Sequence, residues 1–146
     1  MSTVMQILRS KQDNTVFTTS PGATVTEAAR LMAEKHIGGL LVMEKERIIG
    51  IVTERDFARK LALPDFSCGE TPVREIMSSP VMYVRPLQTT EECMALITEN
   101  RLRHLPVIED DKLIGLISIG DLVKDVISTQ KFTIQQLEHY IKGDLG

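Results

Sequence analysis

Leu113-Ile-Gly-Leu-Ile-Ser-Ile-Gly-Asp121 and Ile48-Ile-Gly-Ile-Val-Thr-Glu-Arg-Asp56 are two versions of one passage, set 65 positions apart. Each opens with an aliphatic, charge-free run that reads as a strand buried on both faces or nearly so. Each then reaches Thr53 or Ser118, followed three residues later by Asp56 or Asp121, the pattern of a helix's first turn. A strand feeding directly into a helix, twice at a constant offset, decides the fold. Laying residues 16–60 over 81–125 needs no gap and gives 12 identities in 45 pairs, Pro21/Pro86, Thr24/Thr89, Glu27/Glu92 and Gly50/Gly115 among them. Average composition would give about three.

Working outward, each copy has the same parts. An extended stretch (Val16 to Thr19; Val81 to Arg85) meets a proline turn. Thr24-Val-Thr-Glu27 and Thr89-Thr-Glu-Glu92 then present a Thr-x-x-Glu box, which satisfies the unpaired N–H groups opening a helix. Apolar residues at helical spacing follow: Ala28, Leu31, Met32 and Ile37 in one copy, Met94, Leu96 and Ile97 in the other. Two β-rich runs joined by a charged turn precede the second helix. The pattern is β-α-β-β-α, twice, an α/β chain of the α+β kind. Neither copy, at about 45 residues, buries enough apolar surface alone, so the two are expected to pack through their sheets with pseudo-twofold symmetry. The expected organisation is residues 1–63 as repeat 1 with an N-terminal helix, 64–75 as linker, 76–130 as repeat 2, and 131–146 as a C-terminal helix. That last helix is expected from Thr133 to Lys142, with Thr133-Ile-Gln-Gln136 as its capping box. Its stripe of Ile134, Leu137 and Ile141 must pack on the module itself or on a second copy.

Composition narrows the function. With 42% hydrophobic and 25% charged residues and a net charge of −3, the chain has no basic field to draw it onto nucleic acid or an anionic membrane. Aromatic residues make up 4% and Trp is absent, so stacking platforms for single strands are missing. No run approaches the roughly 20 apolar residues that span a bilayer. The start, MSTVMQILRSKQ, does not read as a secretory signal, and Cys68 and Cys93 lack CxxC spacing, so a cytoplasmic location is expected. No nucleophile elbow, phosphate-binding Gly-x-x-x-x-Gly-Lys loop, metal-ligand cluster or Gly-x-Gly-x-x-Gly occurs, so no catalytic residue, metal or catalytic cofactor is expected.

The strings Leu105-Pro-Val-Ile108 with Leu113–Leu122, and Gly39-Leu-Leu-Val-Met43 with Ile48–Phe57, resemble the CBS domain, the cystathionine-β-synthase-type repeat. Two copies at this spacing resemble a stand-alone CBS pair, or Bateman module. The resemblance implies a regulatory, non-enzymatic module that binds adenosine-containing ligands (AMP, ADP, ATP, NAD(H) or S-adenosylmethionine) in clefts between the repeats. It also implies a homodimer and a regulated partner protein. The competing reading is a dimerising adaptor whose clefts stay empty.

Read as structure alone, Thr53 and Ser118 are helix caps, with Asp56 and Asp121 favoured by the helix dipole. Read as chemistry, a carboxylate held there can accept both hydroxyls of a ribose. The resemblance implies that Asp56 works with Leu102, Arg103 and His104, with Ser79 and Val81 near the base. Arg55 would add positive charge for phosphate. Asp121 would work with Ile37, Gly38 and Gly39, with Val16 nearby. There Gly120 stands where Arg55 does, and cationic support is expected to be poor, making the Asp56 site the better phosphate binder. His36 and His139 read as helix-surface residues, and Cys93 as core.

Overall fold

The computed structural model describes residues 2–141. In chain order its elements are α1 (Val4–Ser10), β1 (Thr18–Thr19), α2 (Val25–Lys35), β2 (Gly39–Glu44), β3 (Arg47–Thr53), α3 (Glu54–Leu61), a 3-10 turn (Val73–Glu75), α4 (Thr90–Asn100), β4 (His104–Glu109), β5 (Lys112–Ser118) and α5 (Ile119–Ile141). They belong to two compact units, one of Thr15–Met82 and one of Met1–Asn14 with Tyr83–Gly146.

In the Thr15–Met82 unit, β1 runs parallel to β2, and β2 pairs antiparallel with β3. The Thr24 hydroxyl accepts from the Glu27 N–H at 3.1 Å and opens α2. Val25, Ala28 and Met32 of α2 bury against Leu40, Val42 and Val52 of the sheet. In the other unit β4 and β5 form a hairpin, α4 opens on Thr89, and the core gathers Val84, Cys93, Ile97, Leu105, Val107, Ile117 and Leu122. The strand expected from Val81 to Arg85 shrinks to one bridge, Val84 to Val107. The reason is Pro106, which stands where the first copy has Leu41. The Val84 N–H reaches the Pro106 carbonyl at 2.9 Å, but proline has no N–H to carry the parallel ladder one step further. Both hairpins turn through residues with positive φ, Lys45 and Glu46 at 50° and 67°, Asp110 and Asp111 at 52° and 62°. That is the geometry of a two-residue turn matched to strand twist.

The segments preceding the repeats are exchanged. The stretch expected to be a linker is fixed onto the first repeat: Val25 N–H donates to Thr71 O at 2.9 Å, Val73 N–H to Ala23 O at 2.8 Å, and Val73 is fully buried. The N-terminal segment, grouped by sequence with repeat 1, does the same for repeat 2. Val4 N–H donates to Gln88 O at 2.8 Å, Thr90 N–H to Ser2 O at 2.9 Å, and Val4, Ile7 and Leu8 enter that unit's core. Each segment crosses its sheet at a glycine. A Cβ on Gly115 would stand 2.7 Å from Leu8 Cδ2, and one on Gly50 would collide with Met77.

The expected C-terminal helix is present, but it is the last part of a longer helix and not a separate element. α5 runs unbroken from β5, and the Thr133 hydroxyl donates to Thr129 O at 3.0 Å inside the helix instead of capping a new one. Lys142 lies outside the described residues. Of the two covers expected for its stripe, the module itself does not supply one at Ile134 and Leu137, which are exposed; the Ile141 side chain lies outside the described residues.

Candidate ligand site

The two strand-to-helix turns are built alike. In the Thr15–Met82 unit, Asp56 turns back and its Oδ2 accepts from the Thr53 N–H at 2.8 Å and the Thr53 hydroxyl at 3.1 Å. In the other unit, Asp121 Oδ2 accepts from the Ser118 N–H at 2.9 Å while the Ser118 hydroxyl accepts from the Asp121 N–H at 3.2 Å. The capping role read from the sequence is therefore real in both copies, and each carboxylate is held at a helix N-terminus where the dipole favours negative charge.

Hairpin pairing places the first strand's start beside each turn. Gly39 pairs with Thr53, and Glu54 N–H donates to Gly38 O at 3.2 Å, so Gly38 and Gly39 join Thr53 and Asp56, with Ile37 one residue before them. His104 pairs with Ser118, and Ile119 N–H donates to Arg103 O at 2.9 Å, so Arg103 and His104 join Ser118 and Asp121, preceded by Leu102. Arg55 and Arg103 are exposed, and His104 is half-buried. Val16, Ser79 and Val81 lie with Asp56 in the Thr15–Met82 unit.

The environment of Asp121 departs from the expectation of poor cationic support. Lys11, just after α1, donates from Nζ to Asp121 Oδ2 at 3.0 Å and to the Leu116 carbonyl at 2.8 Å. Burial alone would raise the Asp121 pKa. The Ser118 N–H, the hydrogen bond and charge of Lys11, and the Ser118 hydroxyl overcome that and hold the carboxyl below its ordinary value. The pair sits on a cavity of about 620 Å³ whose wall also includes Ser10, Lys124, Asp125 and Ser128. That volume is in the range of small-molecule sites. Sequence reasoning missed Lys11. The only available signal was a weak match of Val4, Ile7 and Leu8 to Val73, Ile76 and Met77, which puts Lys11 in the place of Pro80.

Cys93 is buried, and its thiol is pushed up to about 11 by burial, with Glu92 adding to the rise. Cys68 is half-buried against the Thr15–Met82 core. Among the described residues no group of three His, Cys, Asp or Glu side chains is placed to hold a metal ion, and no helix is long and apolar enough to cross a membrane.

The chain matches the CBS domain family model twice, over residues 6–63 and 73–128. A mitochondrial relative from Arabidopsis thaliana, the CBS domain-containing protein CBSX3, is 34% identical over 150 residues, spanning 97% of this chain and 73% of the relative. The structure of a protein with CBS domains from Burkholderia ambifaria is similar with a TM-score of 0.85 at 56% identity, covering 88% of this chain and 96% of that one. The crystal structure of CBSX2 in complex with AMP is similar with a TM-score of 0.69 at 25% identity, covering 89% of this chain and 99% of that one.

Proposed function

Because the chain belongs to the CBS-domain family as a tandem pair of such domains, we propose that it is a non-enzymatic regulatory module that binds an adenosine-containing ligand. AMP, ADP, ATP and NAD(H) are the candidates, and the AMP held by CBSX2 supports the class. The observation that carries the reading is Asp121, a carboxylate with a lowered pKa on the wall of a 620 Å³ cavity, flanked by Lys11 and Lys124. An ionised carboxylate accepts ribose hydroxyls, and the flanking ammonium groups offset its repulsion of phosphate. Asp56, Thr53 and Arg55 are the matching set in the Thr15–Met82 unit. The sparse thiols favour a reducing compartment such as the cytosol for this role.

The two copies are proposed to differ in affinity. Asp121 already holds Lys11, whereas the place of Lys11 in the other copy is taken by Pro80, leaving Asp56 bonded to Thr53. A ligand at Asp121 must compete with that ammonium. Occupancy signals to a regulated protein only if the ligand prefers one state of the module over another. Isothermal titration of the full chain with AMP, ATP, NADH and S-adenosylmethionine tests the reading. At least one should bind with a sub-millimolar Kd, and Asp56→Ala should weaken it more than Asp121→Ala. Absence of binding by all four would overturn the ligand reading and favour the adaptor with an empty site.

A further inference from the structure

Each repeat enters its first helix through a proline turn. In the Thr15–Met82 unit the Ala23 N–H donates to the Ser20 carbonyl at 3.2 Å, and in the other unit the Gln88 N–H donates to the Arg85 carbonyl at 3.1 Å. Pro21 and Pro86 hold the same place in the two turns, but the next residue is Gly22 in one and Leu87 in the other. Leu87 is 85% exposed. Neither residue has a φ in the left-handed region, so the backbone demands no particular side chain there, and turn tips ordinarily carry small or polar residues. Local structure gives no reason for a leucine in water. Tyr83, 47% exposed, likewise stands where the first copy has Thr18. With the buried Pro86 and half-buried Ile108 these two residues line a groove of about 410 Å³. Its rim is the turn between β4 and β5, where Glu109, Asp110 and Asp111 are all exposed.

We propose that this groove is a docking surface for a segment of a partner protein that carries an aliphatic or aromatic anchor flanked by Lys or Arg. An exposed leucine beside an exposed tyrosine at a concave site is the kind of patch that an apolar anchor covers. The charges choose the rest of the segment. Three carboxylates face Arg85 alone among the described lining residues, which leaves the rim net negative. None of the four makes an ion pair with another described residue. The left-handed turn tolerates Asp110 and Asp111, yet the first copy fills the same turn with Lys45 and Glu46, so the geometry does not require a paired negative charge. An acidic rim repels phosphates of nucleic acid and anionic headgroups of lipid, and it attracts Lys and Arg. The first copy, with Thr18, Gly22 and Lys45 at the matching places, has neither the apolar projections nor the uniform charge. The groove shares no lining residue with the cavity at Asp121. It lies at the far end of β4 from the Ser118 turn, about 17 Å along that six-residue strand, so the inference is independent of the ligand reading.

A phage-displayed library of random peptides, panned on the immobilised full chain, tests it, with fluorescence anisotropy giving the Kd of the enriched peptides. Those peptides should share an aliphatic or aromatic residue flanked by Lys or Arg. Leu87→Gly and Tyr83→Thr give each exposed position the first copy's residue, and both should raise the Kd at least tenfold while the urea midpoint stays within error of wild type. Asp110→Asn with Asp111→Asn keeps residues that accept a left-handed turn; it should weaken binding several-fold and remove most of its salt dependence. No enrichment, enrichment without basic residues, or binding indifferent to Leu87→Gly would overturn the surface. A sedimentation mass that falls with Leu87→Gly would assign the groove to a second copy, and vesicle retention lost with Leu87→Gly would assign it to a lipid surface; either result would overturn the peptide partner.

Discussion

Lys11 and Asp121 are 110 residues apart and their ion pair ties the end of α1 to the start of α5. A double-mutant cycle with Lys11→Met and Asp121→Asn measures what that tie contributes. Lys11 loses two hydrogen bonds in the first variant, at 2.8 and 3.0 Å. Charge-assisted bonds of this kind contribute about 1.5–3 kcal/mol when buried, and exposed ion pairs about 0.2–1 kcal/mol. The two side chains are 27% and 18% exposed, so the pair belongs between those limits. Asp121 also keeps the Ser118 N–H when Lys11 is gone, which lowers the loss further. The expected coupling is about 1 kcal/mol, and each single variant should lose about 1–2 kcal/mol, since each leaves one polar partner stranded. Urea denaturation at pH 7 supplies the four free energies, with Arg9→Met on the exposed side of α1 as control. Additivity to within about 0.3 kcal/mol would show that the contact does not bear on stability, and would remove the reason given for weaker ligand binding at Asp121.

The same pair predicts an acid effect of defined sign. Because the folded Asp121 pKa lies below its ordinary 3.8, its contribution is complete above that value and is lost as pH falls through the folded pKa; Lys11→Met should flatten this part of the stability-against-pH curve. Gly115→Ala should destabilise by about 1–3 kcal/mol through overpacking against Leu8, and Leu8→Ala in the same chain should recover part of that loss; a neutral Gly115→Ala would refute the close crossing. Glu46→Gly should stabilise by about 1 kcal/mol by relieving a non-glycine left-handed residue, read as a higher midpoint in the same denaturation. In native protein at pH 8, Cys68 should react with a thiol reagent well before Cys93, whose thiol pKa of about 11 and burial keep it protonated and covered; equal rates would contradict the packing of α4.

Periodicity and repetition carried the architecture because they are local and doubled. The Thr24 and Thr89 hydroxyls cap α2 and α4 by accepting from the Glu27 and Glu92 N–H groups, one half of the expected box, and the strand-to-helix turns at Thr53 and Ser118 fall where their motifs stand. What escaped is what no window contains. Lys11 reaches Leu116 and Asp121 through a fold, not a motif. Thr133-Ile-Gln-Gln136 has the residues of a capping box, yet the helix arriving from Ser128 and Thr129 already satisfies the N–H groups that a cap would serve. Val4/Val73 and Ile7/Ile76 share an offset of 69, not the 65 of the main repeat, and two identities are too few to stand out.

The exchanged segments also bear on how the chain is made. Ribosomal synthesis delivers α1 first, but the surface that receives Val4, Ile7 and Leu8 is assembled from residues beyond Tyr83. The Thr15–Met82 unit can close as soon as its own segment has emerged, whereas α1 must wait, apolar face uncovered, until β5 is out. Maturation of the second unit is therefore bound to synthesis through β5, and a product truncated before Leu105 leaves the seven-residue α1 without a seat.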